Sequence, residues 1–325
     1  MRLLDLVAQS TSGAPTLPVG WAFPGAHQYA DAVRSCPLRL VLADDLTRCT
    51  TQLAYAEGER LSSCLDLIHV PSQQLWLEWM EETRQSTLRE IPTCGITSSS
   101  NVRRSGALIA ADPSGRAGTM RTFWSTHNDE VYSAALLTDF NLDRVARPAL
   151  DIGAVFSGAA FGVAMSEEAA LDDLLSHVCF RLDPVWADYY GAAGLTANEQ
   201  LAVLREVLGG TAFDMPMILA LFLLFAAKDA LLHRATDLRR LNHARGRSGK
   251  RALLEHIEVR TSIATECQPS AALPASANRR RSPRLHHVRG HIARRGDRVF
   301  WRLPHLRGSS HLGVVRSRTV QLSFN

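Results

Sequence analysis

Histidine and arginine are interleaved in a short segment near the C-terminus, and their spacing suits acid–base chemistry on a phosphate. If residues 285–292 form one regular strand, its period of two places His287, Arg289 and His291 on the same face. Imidazole titrates near neutral pH, so one histidine could take the 2′-hydroxyl proton of RNA while the other protonates the leaving oxygen. The arginine would hold the phosphate. His305 and His311, across a hairpin, could join the group.

Other interpretations of these histidines compete with metal-free RNA cleavage. A zinc site would need further ligands, and no Cys, Asp or Glu stands where it could complete one, so we expect neither a metal nor a cofactor. The same side chains could bind phosphate without cutting, or could be structural, with imidazoles bonded to backbone carbonyls at sheet edges. The sequence does not separate an enzyme from a binding protein.

Charge is divided very unequally along the chain of 325 residues. Residues 231–325 carry 20 Arg and Lys against 5 Asp and Glu, a net charge of +15, whereas residues 1–230 carry −11. Nucleic acid is the leading partner for such a region, because phosphate neutralisation by arginine drives sequence-independent binding. The alternative is a solvated basic tail. The arginines that we expect to contact RNA or the ribosome are Arg279, Arg280, Arg281, Arg284, Arg294, Arg295, Arg298, Arg302 and Arg307.

Composition sets the remaining bounds. With 46% hydrophobic residues the chain can bury a substantial core. The six cysteines form no Cys-x-x-Cys pair and are typical of reduced thiols in a cytoplasmic protein. The first 15 residues lack the pattern of a signal peptide. The apolar run 215–227 is too short to span a bilayer, so we expect a buried helix and no membrane partner.

Hydrophobic periodicity predicts helices first and then a β-meander. Segments 27–34 and 72–84 have helical composition, and the second would carry Leu75, Trp76, Leu77, Trp79 and Met80 as a core stripe. Three strands are predicted over 106–111, 119–126 and 131–140.

The second half of the body is predicted to be helical up to the basic region. A helix is expected over 167–178, and a capping box at Thr196–Glu199 starts another that would stop at Gly209 and Gly210. Asp214 would cap a following helix that has Pro216 in its first turn.

The basic region is predicted to contain loops and short strands. The segment 239–251 has the composition of a loop, 254–263 of a strand and 268–284 of a linker. The C-terminal segment predicts a hairpin around Gly296 and Asp297 and a last strand over 314–324.

We therefore predict an α+β protein with a helical and antiparallel β-meander body and a small basic C-terminal β-module. The body would occupy residues 1–232 and is the candidate peptide-recognition domain. A basic loop and linker region would follow over 233–284, and the His- and Arg-rich β-module over 285–325.

One motif in the β-module resembles a known family. His286-x-x-Arg289-Gly-His291, followed by Trp301-Arg-Leu-Pro304, is similar to the C-terminus of the type V-A anti-CRISPR family that downregulates the effector nuclease. Weaker likeness extends to 107–112 and 217–227, and the motif also marks a broader family of phage and mobile-element proteins. The resemblance points to His286, whereas the two-residue period of a strand points to His287 as the partner of Arg289 and His291. A β-bulge at this point would reconcile the two.

The resemblance implies a function for the chain. Members of that family recognise the effector's nascent N-terminal peptide at the ribosome and trigger loss of its mRNA. By that resemblance we expect a phage or mobile-element factor in the cytoplasm of a bacterial host, with RNA or the ribosome and a nascent peptide as partners. That peptide could belong to a CRISPR effector nuclease or to another protein. The alternatives are a metal-independent endoribonuclease and a non-enzymatic nucleic-acid-binding regulator.

Overall fold

The computed structural model describes residues 1–10, 23–91, 101–144, 174–262, 284–288, 291–302, 305–307 and 309–314. For 197–198, 200–207, 209–210, 284–288, 305–307 and 309–314 it describes the backbone alone. The helices are α1 (Leu3–Gln9), α2 (Ala26–Ser35), α3 (Asp44–Ala56), α4 (Gly58–Ser62), α5 (Glu81–Glu90), α6 (Pro184–Ala192), α7 (Ala197–Ala226) and α8 (Arg239–Arg247), with a 3₁₀ turn at Leu65–Leu67. The strands of the body are β1 (Leu38–Leu42), β2 (Gln74–Met80), β3 (Val102–Ala111), β4 (Ala117–Thr126), β5 (Val131–Asn141), β6 (Val178–Leu182), β7 (Leu231–Ala235) and β8 (Ile257–Thr261). Those of the C-terminal segment are β9 (Arg284–Val288), β10 (His291–Arg295), β11 (Arg298–Arg302), β12 (His305–Arg307) and β13 (Ser309–Val314).

One mixed sheet of eight strands organises the body. Its order is β6-β5-β4-β3-β2-β1-β8-β7, and the run from β2 to β6 is antiparallel. The predicted three-strand meander is confirmed as β3, β4 and β5, and the α+β class is confirmed with it. The predicted helix over 167–178 lies largely outside the described residues; its last residue, Val178, begins β6.

The apolar segment predicted as a helix over 72–84 is instead a central strand. In β2, Leu75, Trp76, Leu77 and Trp79 are fully buried, and β1 and β3 pair on either side. Helices cover both faces of the sheet here, so both faces of the strand must be apolar. A continuous apolar run resembles a helix stripe, which explains the error. The helix that was predicted there begins only at Glu81, as α5.

The chain returns to the sheet after residue 230. Strand β8 pairs in parallel with β1, and β7 pairs antiparallel with β8 to form one edge of the sheet. The strand predicted over 254–263 is therefore confirmed, whereas the loop predicted over 239–251 is wrong, because α8 spans most of it. The sheet of the body extends to Thr261, and the boundary predicted at 232 falls inside β7.

Two helical layers cover the sheet. Helices α3, α5 and α7 pack on one face around the larger apolar core. Helices α1 and α2 pack on the other, where Trp76 and Phe123 anchor a smaller aromatic core. The buried carboxylate of Glu78 fixes α1 to β2, since it accepts hydrogen bonds from the backbone N–H groups of Leu3 (3.0 Å) and Leu4 (2.9 Å).

Helix α7 runs unbroken for 30 residues. Its capping box at Thr196 and Glu199 is confirmed, but the helix passes through Gly209, Gly210 and Pro216 rather than ending and restarting. Its C-terminal half is buried almost throughout, as predicted for 215–227, so tertiary packing outweighs the helix-breaking residues. Within the described residues no helix has the length and apolar character needed to cross a membrane.

A buried ionic cluster lies beside Pro216. Arg84 donates from Nη2 (2.7 Å) and Nε (3.0 Å) to Glu81, and its Nη1 lies 2.9 Å from Asp214. Asp214 is thus an ion-pair partner and not the helix cap that the sequence predicted. The Phe213 carbonyl, at the turn disturbed by the proline, accepts hydrogen bonds from Arg84 and from the Tyr55 hydroxyl.

Opposing electrostatic effects act within this cluster. Burial alone would lower the pKa of the Arg84 guanidinium, but the two carboxylates raise it above its ordinary value. Burial raises the pKa of Asp214 to about 7. The positive charge of Arg84 lowers this pKa, and repulsion from Glu81 raises it further. The 2.9 Å contact between Arg84 and Asp214 identifies the cluster as an interaction that holds α5 against α7.

Candidate nucleic-acid interface

The histidine segment near the C-terminus is two strands and not one. Strand β9 ends at Val288 and pairs with β12 and β13, whereas β10 begins at His291 and pairs with β11 in a separate sheet. The premise of one regular strand over 285–292 is therefore wrong, because the described residues on either side of 289 and 290 belong to different sheets. Arg289 lies outside the described residues.

The backbone register locates the remaining histidines on the other small sheet. His286 is opposite Arg307, His287 is opposite Leu306, and His305 is opposite Val288. Of the predicted histidines only His291 has a described side chain, and it is on the other sheet. In the described part of the chain no group of three His, Cys, Asp or Glu side chains is placed to hold a metal.

The hairpin of β10 and β11 is confirmed around Gly296, which takes a positive φ of 63° at the turn. One face of this hairpin packs onto the body. Ile292 and Val299 join the large core and are 3% and 5% exposed, and Trp301 packs beside them. The C-terminal hairpin therefore completes the apolar layer next to α7.

Arg294 acts as an anchor for the hairpin. Its guanidinium binds both carboxylate oxygens of Asp66, at 2.8 and 2.7 Å, and donates to the Ser63 carbonyl at 2.7 Å. The hydrogen bond with Asp66 raises the pKa of Arg294 above its ordinary value. We predicted an RNA contact for Arg294, but the structure directs this side chain to the body.

The opposite face of the hairpin is cationic. The cross-strand pairs are His291 with Arg302, Ala293 with Phe300, and Arg295 with Arg298. Directly opposed residues share a face of a two-stranded sheet, so three arginines and a histidine surround Phe300. The three arginines are exposed, and none forms an ion pair within the described residues. Lys228, also exposed, continues this surface because its backbone bridges to that of Phe300.

The remaining predicted contacts are only partly located. Arg284 and Arg307 are in β9 and β12, where the backbone alone is described, and Arg279, Arg280 and Arg281 lie outside the described residues. The last predicted strand, over 314–324, lies outside them except for Val314, which ends β13.

A second cationic surface was missed by the sequence analysis. Helix α8 has no buried residue and contains four arginines and His243, with no acidic residue. Arg240, His243 and Arg247 recur at a helical spacing of three and four, a signal that was available in the sequence. The surrounding Gly and Ser residues suggested a loop instead.

Comparison with models of protein families, with curated proteins and with solved structures finds no match to this chain.

Proposed function

We propose that this protein is an RNA-associated factor that works at the ribosome, recognises a nascent peptide of a target protein and lowers the amount of the corresponding mRNA. The observation that supports RNA association best is the outer face of the β10–β11 hairpin. There Arg295, Arg298 and Arg302 are exposed without carboxylate partners in the described residues, and they surround Phe300. We define these four residues together with His291 as the hairpin face.

The hairpin face has the two components of a single-stranded RNA site. Arginine guanidinium groups neutralise phosphates and release counterions, which supplies most of the sequence-independent binding energy. An aromatic ring between them offers a base a stacking partner, worth about 1–3 kcal/mol per base. The opposing Ala293 is small, which leaves room beside the Phe300 ring.

This geometry favours binding over cleavage. General acid–base cleavage needs two titratable groups within hydrogen-bond reach of the same phosphate. His291, the candidate histidine whose side chain is described, is on the hairpin, whereas His286, His287 and His305 are on the other sheet. We therefore place RNA binding in this chain and assign the loss of mRNA to a nuclease of the host.

Recognition of a nascent peptide rests on the resemblance of the His286-to-Pro304 motif to the type V-A anti-CRISPR family. One feature of the body suits an extended peptide. Strand β7 is an edge strand, its residues after Leu231 are exposed, and Leu232 is 53% exposed. An open strand edge can accept a further strand through backbone hydrogen bonds, with pockets for alternate side chains.

Crosslinking in translating cells, with sequencing of both the bound RNA and the bound peptide, tests the proposal. The double variant Arg295→Ala/Arg298→Ala should lose most of the RNA crosslinks and the silencing of the target. Arg48→Ala/Arg89→Ala removes two exposed arginines from α3 and α5 and should behave like the wild type. Unchanged crosslinking in the hairpin variant would contradict the proposal.

His291→Ala separates binding from cleavage. It should change the free energy of unfolding by about 1 kcal/mol or less, as for other side chains that are partly exposed. Purified wild-type protein should bind RNA without forming products. Products that appear with the wild type and disappear with His291→Ala would instead establish the endoribonuclease alternative.

A further inference from the structure

We infer that helix α8 and the turn that follows it form a second RNA-binding surface, which takes the phosphate backbone of double-stranded RNA rather than a single strand. This inference rests on the proposed association with RNA and adds a separate site and a separate ligand class. We define the surface by Arg240, His243, Arg247 and Lys250 and call it the α8 face.

Helix α8 has one side directed to the body and one side directed away. Leu238, Asn242 and Arg245 are partly buried and follow a spacing of four and three residues. The four residues of the α8 face are exposed. Arg240 and Arg247 are two helical turns apart, which separates them by about 10 Å along the axis. They therefore form a cationic row of defined length.

Side-chain hydrogen bonds hold this row in place. The amide of Asn242 donates to the Leu253 carbonyl (2.9 Å) and accepts from the Leu253 N–H (2.8 Å). Arg245 donates to the Arg251 carbonyl (2.8 Å), and Arg251 donates to the Gln9 carbonyl (2.8 Å). A nine-residue helix is marginal on its own, so these contacts with the body explain why this one forms without a buried apolar residue.

The charge of the α8 face is not neutralised within the described residues. None of its cations has a carboxylate at ion-pair distance there, and the nearby Asp237 carboxylate accepts from the Arg239 backbone N–H (3.0 Å). A surface of this kind is complementary to a polyanion. Arginine predominates, and its planar guanidinium matches phosphate oxygens in a bidentate geometry.

Two other classes of partner fit the α8 face less well. A membrane-surface helix needs an apolar face opposite its charges, but Leu241 is the one large apolar residue exposed on α8. A protein interface has an aromatic or aliphatic core, which the same composition lacks. The face offers charge and hydrogen-bond donors alone, as expected for a surface that contacts the nucleic-acid backbone.

The lack of Phe, Tyr and Trp on α8 also favours the duplex over a single strand. Single-stranded RNA gains much of its affinity from bases stacked on aromatic rings, as Phe300 permits on the hairpin face. Duplex RNA hides its bases in a deep, narrow major groove and is recognised through phosphates and 2′-hydroxyls. A rigid row of cations without a large aromatic ring therefore suits the duplex, such as a helix of ribosomal RNA.

The experiment measures binding of the full-length protein to an RNA duplex and to an unstructured single strand over a range of salt concentrations. Arg240→Ala/Arg247→Ala should weaken duplex binding about tenfold at about 100 mM salt and lower the salt slope by about 1 per arginine removed. Single-strand binding should change less than twofold. Arg240→Lys/Arg247→Lys, which keeps both charges, should retain the wild-type slope, and an unchanged melting temperature shows that each variant is folded.

Control variants make the outcomes distinct. Arg48→Ala/Arg89→Ala should bind both RNAs like the wild type, and Arg295→Ala/Arg298→Ala should lose single-strand binding. Duplex binding by the α8 variant equal to that of the wild type would overturn this inference, and the proposed function would stand if the hairpin variant still lost the single strand. If Arg240→Ala/Arg247→Ala lost binding to anionic lipid vesicles but kept duplex binding, the inference would be overturned in favour of a membrane-binding surface. Failure of the wild type to bind either RNA would overturn both.

Discussion

Replacing Arg84 by methionine should cause one of the largest losses of stability available in this protein. The methionine fills much of the arginine's volume but removes its charge. Two carboxylates, Glu81 and Asp214, then remain buried without their cation, at 2% and 4% exposure. The substitution leaves the apolar packing between α5 and α7 largely intact, so the electrostatic effect dominates.

The expected loss is about 3–5 kcal/mol, the range for removing one partner of a buried ion pair. Glu81 keeps the hydrogen bonds donated by the Trp79 indole (3.2 Å) and the Ser105 hydroxyl (3.0 Å). These bonds limit the contribution of Glu81 to the loss of stability. Asp214 keeps no comparable donor in the described contacts, and without the attraction of Arg84 its pKa, already about 7, rises further, so part of the loss is the cost of protonating this carboxyl group. Small domains unfold with only about 5–15 kcal/mol, so the change is a large fraction of the total.

Urea denaturation followed by fluorescence measures this free energy of unfolding. The control is Arg181→Met, which breaks the exposed ion pair with Asp139 and should cost about 1 kcal/mol or less. Adding Asp214→Asn to Arg84→Met should restore part of the loss at neutral pH, because the amide is neutral without taking up a proton. A cost of Arg84→Met no larger than that of the surface control would refute this account of the cluster.

Two further substitutions and one truncation give additional tests. Burial raises the pKa of Asp214 to about 7, so between about pH 4 and about pH 7 the folded protein holds a proton that the unfolded chain has released. The free energy of unfolding of the wild type, relative to that of Asp214→Asn, is therefore greatest at low pH and should fall by up to about 1.4 kcal/mol per pH unit across that window. Urea titrations of both proteins at several pH values measure this difference. A difference that stays constant with pH would contradict the raised pKa. A chain ending at residue 266 keeps all eight strands of the main sheet and should melt cooperatively in calorimetry, at a lower temperature because the hairpin's apolar cover is lost; a molten product would show that the hairpin is essential for the fold. Gly118→Ala would place a Cβ 2.3 Å from the Ala110 carbonyl oxygen and should cost about 1–3 kcal/mol by chemical denaturation, whereas Gly191→Ala, with nothing within 4 Å, should be neutral or slightly stabilising; equal effects would refute the steric argument.

The sequence predicted those parts of the fold in which local chemistry decides the structure. The meander of β3, β4 and β5 is marked by turn residues and β-branched runs, and the capping box at Thr196 specifies its own geometry. The hairpin at Gly296 is likewise specified by a short turn. In each case the contacts that matter are between residues close in sequence.

Errors arose where distant residues decide the structure. The Leu75–Trp79 run looks helical until β1 and β3 are known to lie on both sides of it. Gly209, Gly210 and Pro216 would end an exposed helix, but α7 is held by the core, and the Phe213 carbonyl is satisfied by side chains from α3 and α5.

The candidate site was predicted only in part for the same reason. Composition located the basic surface of the hairpin, and Arg295, Arg298 and Arg302 are indeed exposed on it. The sequence could not show that Arg294 turns inward to Asp66, because that acidic residue precedes it by more than 200 positions. It also could not show that the histidines belong to two sheets, since the break after Val288 depends on which strands pair.

The pairing of β1 with β8 has a consequence for how the protein is made. These strands are neighbours in the sheet, yet more than 200 residues of chain are synthesised between them. At translation rates of about 5–20 residues per second, the interval between the synthesis of β1 and that of β8 is roughly 10–40 s, and during this time one edge of β1 is unpaired. During synthesis that bare edge can attract any extended chain nearby, so we expect this protein's own yield to depend on a chaperone that shields the first half until β8 emerges.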